Sequence, residues 1–160
     1  MLISKELASA INDEIGRELF ASHQYISIAC YLDDHALKIV AKLFLKQAEE
    51  ERAHAMKFVD YLTDVDAKVL IPAIDAPRAE FNSVEEAFQL ALDWELKVTG
   101  YINDLMRLAI DMNDYMAQDF LRWFVTEQRE EVHTMDNLLK VCQQAGERNI
   151  IMVEAYLAHQ

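Results

Sequence analysis

The chain of 160 residues carries 15 basic against 28 acidic residues, a formal charge of -13. That balance repels nucleic-acid phosphates and anionic lipid, which argues against both as partners, and it attracts multivalent cations. With three glycines and two prolines against 52% apolar residues, a turn-rich β architecture is excluded, and one all-α domain over 1–160 is expected.

The first helix is expected over about residues 5–32, where Leu7, Ile11, Ile15, Ile28 and Leu32 recur at helical spacing. Asp33 and Asp34 then make a short turn, with Asp34 capping a second helix over about 36–62. Periodicity fails over about 64–82, and both prolines, Pro72 and Pro77, fall there. Ser83 followed by Glu86 is a capping-box signature for a third helix that continues to about Asp111. Asn113-Asp114 turns the chain into a fourth helix over about 115–145, with Gly146 placed to end it. A short, mostly apolar helix over about 149–157 follows.

Four helices this long exceed the ~11–12 residues of an average helix and pack as a bundle over about 5–145. The irregular stretch of ~19 residues reaches ~60 Å when extended, more than the ~40 Å length of such a helix. It therefore returns along the whole bundle as one long crossover and sets the second and third helices parallel.

Polar residues interrupt the apolar stripes. The fourth helix reads Leu121, Phe124, Gln128, Glu131, Met135, Leu138 and Cys142, and the second reads Val40, Phe44, Gln47, Glu51, His54, Phe58 and Tyr61. Glu95 lies on the third stripe between Leu92 and Val98, and Glu18 on the first, where Glu14 or Ile15 takes the preceding turn. Each helix thus carries a carboxylate at a core position near its middle. An unpaired buried carboxylate costs several kcal/mol, and two divalent metals at the centre would neutralise the set. Carboxylates with one imidazole suit iron, whereas thiolates would have pointed to zinc or clusters. Glu51-x-x-His54 alone is a weak signal, because Glu51 also sits in the charge run Glu49-Glu50-Glu51. The coincidence on all four faces is what carries the metal reading.

Cys30 and Cys142 are the only cysteines and form no CxxC, a pattern that suits a reducing cytosol. The opening residues resemble no secretion signal, and no apolar run nears the ~18 residues of a membrane span. A cytoplasmic location is expected.

The sequence resembles bacterial non-haem ferritins over nearly its whole length. The resemblance is carried by the segment from Glu18 to Tyr25, by Glu50-Glu51-Arg52-Ala53-His54, by Trp94-Glu95, and by the segment from Phe120 to Glu131 that contains Glu127, Gln128 and Glu130. It implies a ferritin-like bundle in which Glu18, Glu51 and His54 bind one iron, with Glu51 bridging. Glu95, with Gln128 and Glu131 nearby, would serve the second. Glu50, Glu127, Glu130 and Glu131 would form a third iron site, and Tyr25 would donate an electron during O2 reduction. The function implied is ferroxidase and iron storage, taking Fe2+ to Fe3+ with O2 or H2O2, in a homo-oligomeric shell of 24 subunits with an acidic inner surface. Haem is not expected. The core stripe of the fourth helix offers Gln128-x-x-Glu131 in place of a second Glu-x-x-His, and Arg52 stands where a haem-binding subunit has methionine.

Three other readings compete. A rubrerythrin-type peroxidase calls for a four-cysteine segment, which this sequence lacks, or for a partner that supplies electrons. A miniature DNA-protecting ferritin would place its ligands between subunits and would lack the fifth helical segment. A metal-free structural bundle would have to bury four carboxylates without basic partners on the stripes.

Overall fold

Side-chain caps start three of the five helices in the computed structural model, which describes residues 2–160 and so leaves Met1 of the expected domain outside. The helices are α1 (Lys5–Asp34), α2 (Lys38–Asp64), α3 (Val84–Asp111), α4 (Tyr115–Ala145) and α5 (Ile151–Ala158), with a 3-10 turn at Glu147–Asn149 and no strand among the described residues. Ser4, Ser83 and Asp114 accept from the backbone N–H of Leu7, Glu86 and Ala117, which satisfies donors that a helix start leaves bare. Helix α2 has no such cap. Asp34 does not cap it, because α1 runs two residues further than expected and keeps Asp34 in its last turn; Leu37 takes the cap position. The missing acceptor comes from the far end of the chain: Glu154 of α5 takes the N–H groups of Ile39 and Val40 at 2.9 and 3.0 Å.

Helices α1, α2 and α3 all end in the same way, without glycine. Ala36, Asp66 and Asn113 adopt φ of 61°, 57° and 54°. In each case the next residue reaches back five positions: Leu37 N to Leu32 O, Ala67 N to Leu62 O, and Asp114 N to Ala109 O. These are Schellman closures, in which a left-handed residue lets the chain fold over the last turn and satisfy its carbonyls. At the end of α4, Gly146 has a positive φ of 74° but an extended ψ of 162°, and its N–H bonds only Cys142 O.

Two contacts at the chain's start fix the helix directions. Leu2 N bonds Val65 O just past the end of α2, and Ser4 Oγ donates to the Met112 sulfur just past the end of α3. Both helices therefore run opposite to α1 and parallel to each other. The crossover, residues 65–83, lies extended along α1 and is held by side-chain amides. Asn12 donates to Lys68 O and accepts from Leu70 N, and Gln24 donates to Arg78 O and accepts from Arg78 N. Between those clamps the strap closes on Gly16, where a Cβ would collide with the Pro72 ring.

The core is two apolar clusters. One gathers Tyr25, Ile28, Leu32, Phe44, Phe88, Met135 and Leu138, and the other Leu7, Ile11, Ile15, Phe58, Leu62, Ile102, Leu121 and Phe124. The polar band formed by Glu18, Glu51, His54, Glu95, Gln128 and Glu131, all buried, falls between them. Cys30 is exposed and Cys142 buried, both as free thiols. Among the described residues no helix is long and apolar enough to cross a membrane.

Two substitutions test these backbone assignments by chemical denaturation. Gly16→Ala gains up to ~1 kcal/mol of helix propensity but overpacks against Pro72 at a cost of ~1–3 kcal/mol, so a net loss of roughly 1 kcal/mol is expected. Ala36→Gly removes a left-handed strain of ~1–2 kcal/mol and should raise stability by about 0.5–1 kcal/mol once the extra chain entropy is counted; a loss would refute the closure.

Candidate metal centre

Four helices each bring a carboxylate to the middle of the bundle by the spacing that builds their apolar stripes. Glu18 is fully buried on α1, and Glu51, Glu95 and Glu131 are 1%, 1% and 3% exposed on α2, α3 and α4. His54, one turn beyond Glu51, points its Nδ1 at 3.3 Å from Glu51 and 3.6 Å from Glu18, while its Nε2 lies 3.7 Å from Glu127. Trp123 and Phe124 both pack against the imidazole at steep interplanar angles, 75° and 81°.

Three groups of donor atoms lie close enough to share an ion: Glu18, Glu51 and His54; Glu51, Glu95 and Glu131; and His54, Glu127 and Glu131. Glu51 belongs to the first two, so its carboxylate stands between two potential metal positions. Gln128 reaches the same place through its amide nitrogen. It donates to the Glu95 carboxylate at 3.1 Å and to the Glu95 carbonyl at 3.2 Å, with Thr99 Oγ1 at 3.3 Å. An amide nitrogen has no lone pair for a cation, so Gln128 orients Glu95 in this arrangement and does not face a metal with its oxygen. Tyr25, fully buried, donates its hydroxyl proton to the same Glu95.

The donors expected for a third site separate. Glu127 and Glu131 converge on His54, whereas Glu50 and Glu130 join none of the three groups. Glu130 is exposed and lies 3.5 Å from Arg129. Glu50 is half-buried, and its charge is felt at Glu131.

A fifth buried carboxylate was not assigned a role from the sequence. Glu14 is as fully buried as Ile15, and it is paired with Arg17 at 2.9 Å. The guanidinium of Arg17 stacks over Tyr101 at 3.7 Å. The signal was Arg17 itself, one turn along the same helix.

Glu14 thus has its own counter-charge; Glu18, Glu51, Glu95 and Glu131 have no Lys or Arg partner. Both oxygens of Glu18, Oε1 of Glu51, Oε2 of Glu131 and Nδ1 of His54 are buried without a hydrogen bond. Orphaned acceptors at this density are what a metal-binding set leaves when its ligands face one another. Four carboxylates balance two divalent cations, and the donor set of hard oxygens with one imidazole fits iron.

Electrostatics follow from that burial. Desolvation pushes Glu18 and Glu51 well above the usual carboxylate range, and the neighbouring carboxylate charges push the same way. Glu131 is driven to about 10 by burial and by Glu51 and Glu95. Burial raises Glu95 too, against the opposing pull of the Tyr25 and Gln128 donors, and raises Glu14 to about 7 against Arg17. Burial alone would lower His54, but Glu51 and the other carboxylates outweigh it and leave it raised. Burial and the Glu95 charge hold the Tyr25 phenol well above its ordinary value, so it keeps its proton.

A bundle of this topology with such a centre is the ferritin arrangement, and comparison with known proteins agrees. The family described as "Ferritin-like domain" matches residues 8–145, and the chain belongs to that family. It is 40% identical over 150 residues to "Ferritin BfrB" of Mycobacterium tuberculosis, covering 94% of this chain and 82% of that one. It is 36% identical over 146 residues to "Bacterial non-heme ferritin" of Staphylococcus epidermidis, covering 91% and 88%. Among solved structures, the open-pore ferritin of the hyperthermophilic archaeon Archaeoglobus fulgidus superposes with a TM-score of 0.94 at 29% identity, over 99% of this chain and 98% of that one.

The raised carboxylates fix the sign of a pH effect on the metal-free protein. Each folded value lies above the ordinary 4.5, so the associated stability is complete below about pH 4.5 and is lost as pH rises toward the folded values. Thermal denaturation should show the metal-free Tm falling between about pH 5 and 8. Glu131→Gln should flatten the fall, and Zn2+, which does not oxidise, should raise Tm more at the alkaline end. A Tm that rises across that window and is indifferent to Glu131→Gln would contradict the assignment.

Proposed function

We propose that this chain is an iron-storage ferritin subunit whose buried centre oxidises Fe2+ with O2 or H2O2 and delivers Fe3+ to a mineral held in a homo-oligomeric shell. The observation that carries the reading is Glu51, shared between two donor groups in the buried middle of the bundle. Family membership and the high structural likeness to ferritins support storage.

Fe2+ is the substrate. Glu18, Glu51 and His54 hold one ion, and Glu51, Glu95 and Glu131 hold the second, with the Glu51 carboxylate bridging. Binding displaces the protons that burial keeps on these carboxylates, and the metal charge replaces them. The pair then gives two electrons to one O2, which takes up two protons and becomes H2O2. The hydrolysis of two Fe3+ to oxyhydroxide releases four protons net in the overall reaction. Carboxylates favour this direction because they stabilise the higher charge on iron more than the lower. Gln128 fixes the angle of Glu95. Tyr25, hydrogen-bonded to Glu95, would supply a third electron where a third Fe2+ supplies the fourth, its phenolic proton passing to that carboxylate, and O2 then takes four electrons and four protons to become two waters.

Glu127, half-buried beside His54, offers the exit from the pair, and with Glu131, Glu50 and Glu130 it makes the third iron position. That position forms only if Glu50 and Glu130 swing inward. A shell of 24 subunits in the cytoplasm and a haem-free subunit complete the proposal.

Anaerobic Fe2+ titration followed by exposure to O2 tests it, with ultraviolet absorbance as the readout. Rapid oxidation should saturate near about two irons per subunit. The double substitution Glu51→Ala/His54→Ala should slow the initial rate by roughly a hundredfold or more, toward that of buffer. Tyr25→Phe should leave Fe2+ binding intact and alter only the electrons delivered per O2. Oxidation at the buffer rate in the wild type, or an unchanged rate in the double variant, would overturn the ferroxidase reading.

A further inference from the structure

The negative charge of the chain is not evenly spread. Five of its 15 basic residues lie on α2: Lys38, Lys42, Lys46, Arg52 and Lys57. Residues 35–48 hold three lysines and no acid, and residues 52–59 hold Arg52 and Lys57 and no acid. No other acid-free stretch of the sequence carries two cations. At ~100° per residue, Lys38, Lys42, Lys46 and Lys57 fall within ~100° of arc on the side of α2 opposite Glu51 and Phe44.

All four lysines are exposed, with Leu45 at 47% and Met56 at 40% exposed beside them. Lys38 is paired with Asp33 at 2.8 Å and Lys57 lies over the Trp123 ring at 4.2 Å. Among the described residues Lys42, Lys46 and Arg52 have no acidic partner, in a molecule with 28 acidic side chains. A row of like charges four residues apart repels itself along a helix, so this face gains when an anion neutralises it.

Its placement relative to the centre narrows the anion. Lys46 is one turn before Glu50, whose charge reaches Glu131. Trp123 packs against His54 and also carries Lys57 over its ring. The stripe therefore borders the α2–α4 face on which Glu127 approaches the centre. An Fe3+ ion leaving there is a hard cation that takes oxygen donors, and the lysines select a polyvalent oxygen anion over chloride by charge.

We infer that the stripe of Lys42 and Lys46, flanked by Lys38 and Lys57, is a binding site for a small polyvalent oxyanion of the phosphate class, which it presents to Fe3+ leaving the carboxylate centre. The second half of this inference rests on the ferroxidase reading; the first does not. The occupant is a small anion because Lys42 and Lys46 stand one turn apart, about 6 Å along the helix, a span that a single tetrahedral oxyanion matches.

Isothermal titration of inorganic phosphate into assembled, iron-free protein reads the site directly. Saturable binding is expected, weakened roughly tenfold in Lys42→Gln/Lys46→Gln and weakened by added NaCl. Both residues are exposed and belong to none of the three donor groups, so oxidation of Fe2+ in phosphate-free buffer should proceed at the wild-type rate in the variant. When phosphate is present during oxidation, the retained mineral should hold less phosphorus per iron in the variant. Absence of phosphate binding to the wild type, or equal affinity in the variant, overturns the site. Intact phosphate binding with an unchanged phosphorus-to-iron ratio overturns its link to Fe3+. A failure of fast oxidation in both proteins would sink the ferroxidase reading and leave the phosphate titration to decide the site alone.

Discussion

Everything in this fold is arranged round the cost of keeping Glu18, Glu51, Glu95 and Glu131 away from water with no basic side chain to pair them. Each such group costs several kcal/mol to bury, and no helix could hold it alone. The bundle meets that cost by length. Every one of the four main helices extends well beyond the polar band in both directions, and each end is anchored in its own apolar cluster. The two clusters act as jaws that hold the band shut, so the acidic middle needs no local stability of its own.

Much of this was legible in the sequence because it depends on spacing. The stripes of α2, α3 and α4 put Glu51, His54, Glu95, Gln128 and Glu131 inside, and all five are buried. The crossover was legible from its length and prolines, and the start of α3 from Ser83. The unread parts depend on partners far away in the chain. Asn12 and Gln24 are buried amides whose bonding partners lie 54 to 58 residues on, in an extended strap with no periodicity to announce it. The orientation of Gln128 is set by Glu95 and Thr99 on another helix. Glu14 and Ile15 could not be separated because α1 packs against helices and strap together and buries a wider arc than one stripe.

The ends of α1 and α2 fall about two residues beyond their expected limits for a different reason, whereas α3 and α4 end at Asp111 and Ala145 as expected. Turn chemistry is usually read from glycine, and Ala36, Asp66 and Asn113 do the same work from left-handed backbone without it. Local preference yields here to the closure of the last turn and to the burial of Leu32 with Leu37 and of Leu62. The same override moved the boundary between α1 and α2 and left α2 without a cap of its own.

That bare start of α2 gives the fold a direction in time. The helix that carries Glu51 and His54 begins with two amides whose acceptor, Glu154, lies 115 and 114 positions further along the chain. At translation rates of about 5–20 residues per second, roughly 6–23 s separate the synthesis of the amides from that of their acceptor. During that interval the first turn of α2 can only be water-bonded and frayed. The central helix of the centre is therefore sealed at its own first turn by a segment synthesised long after it.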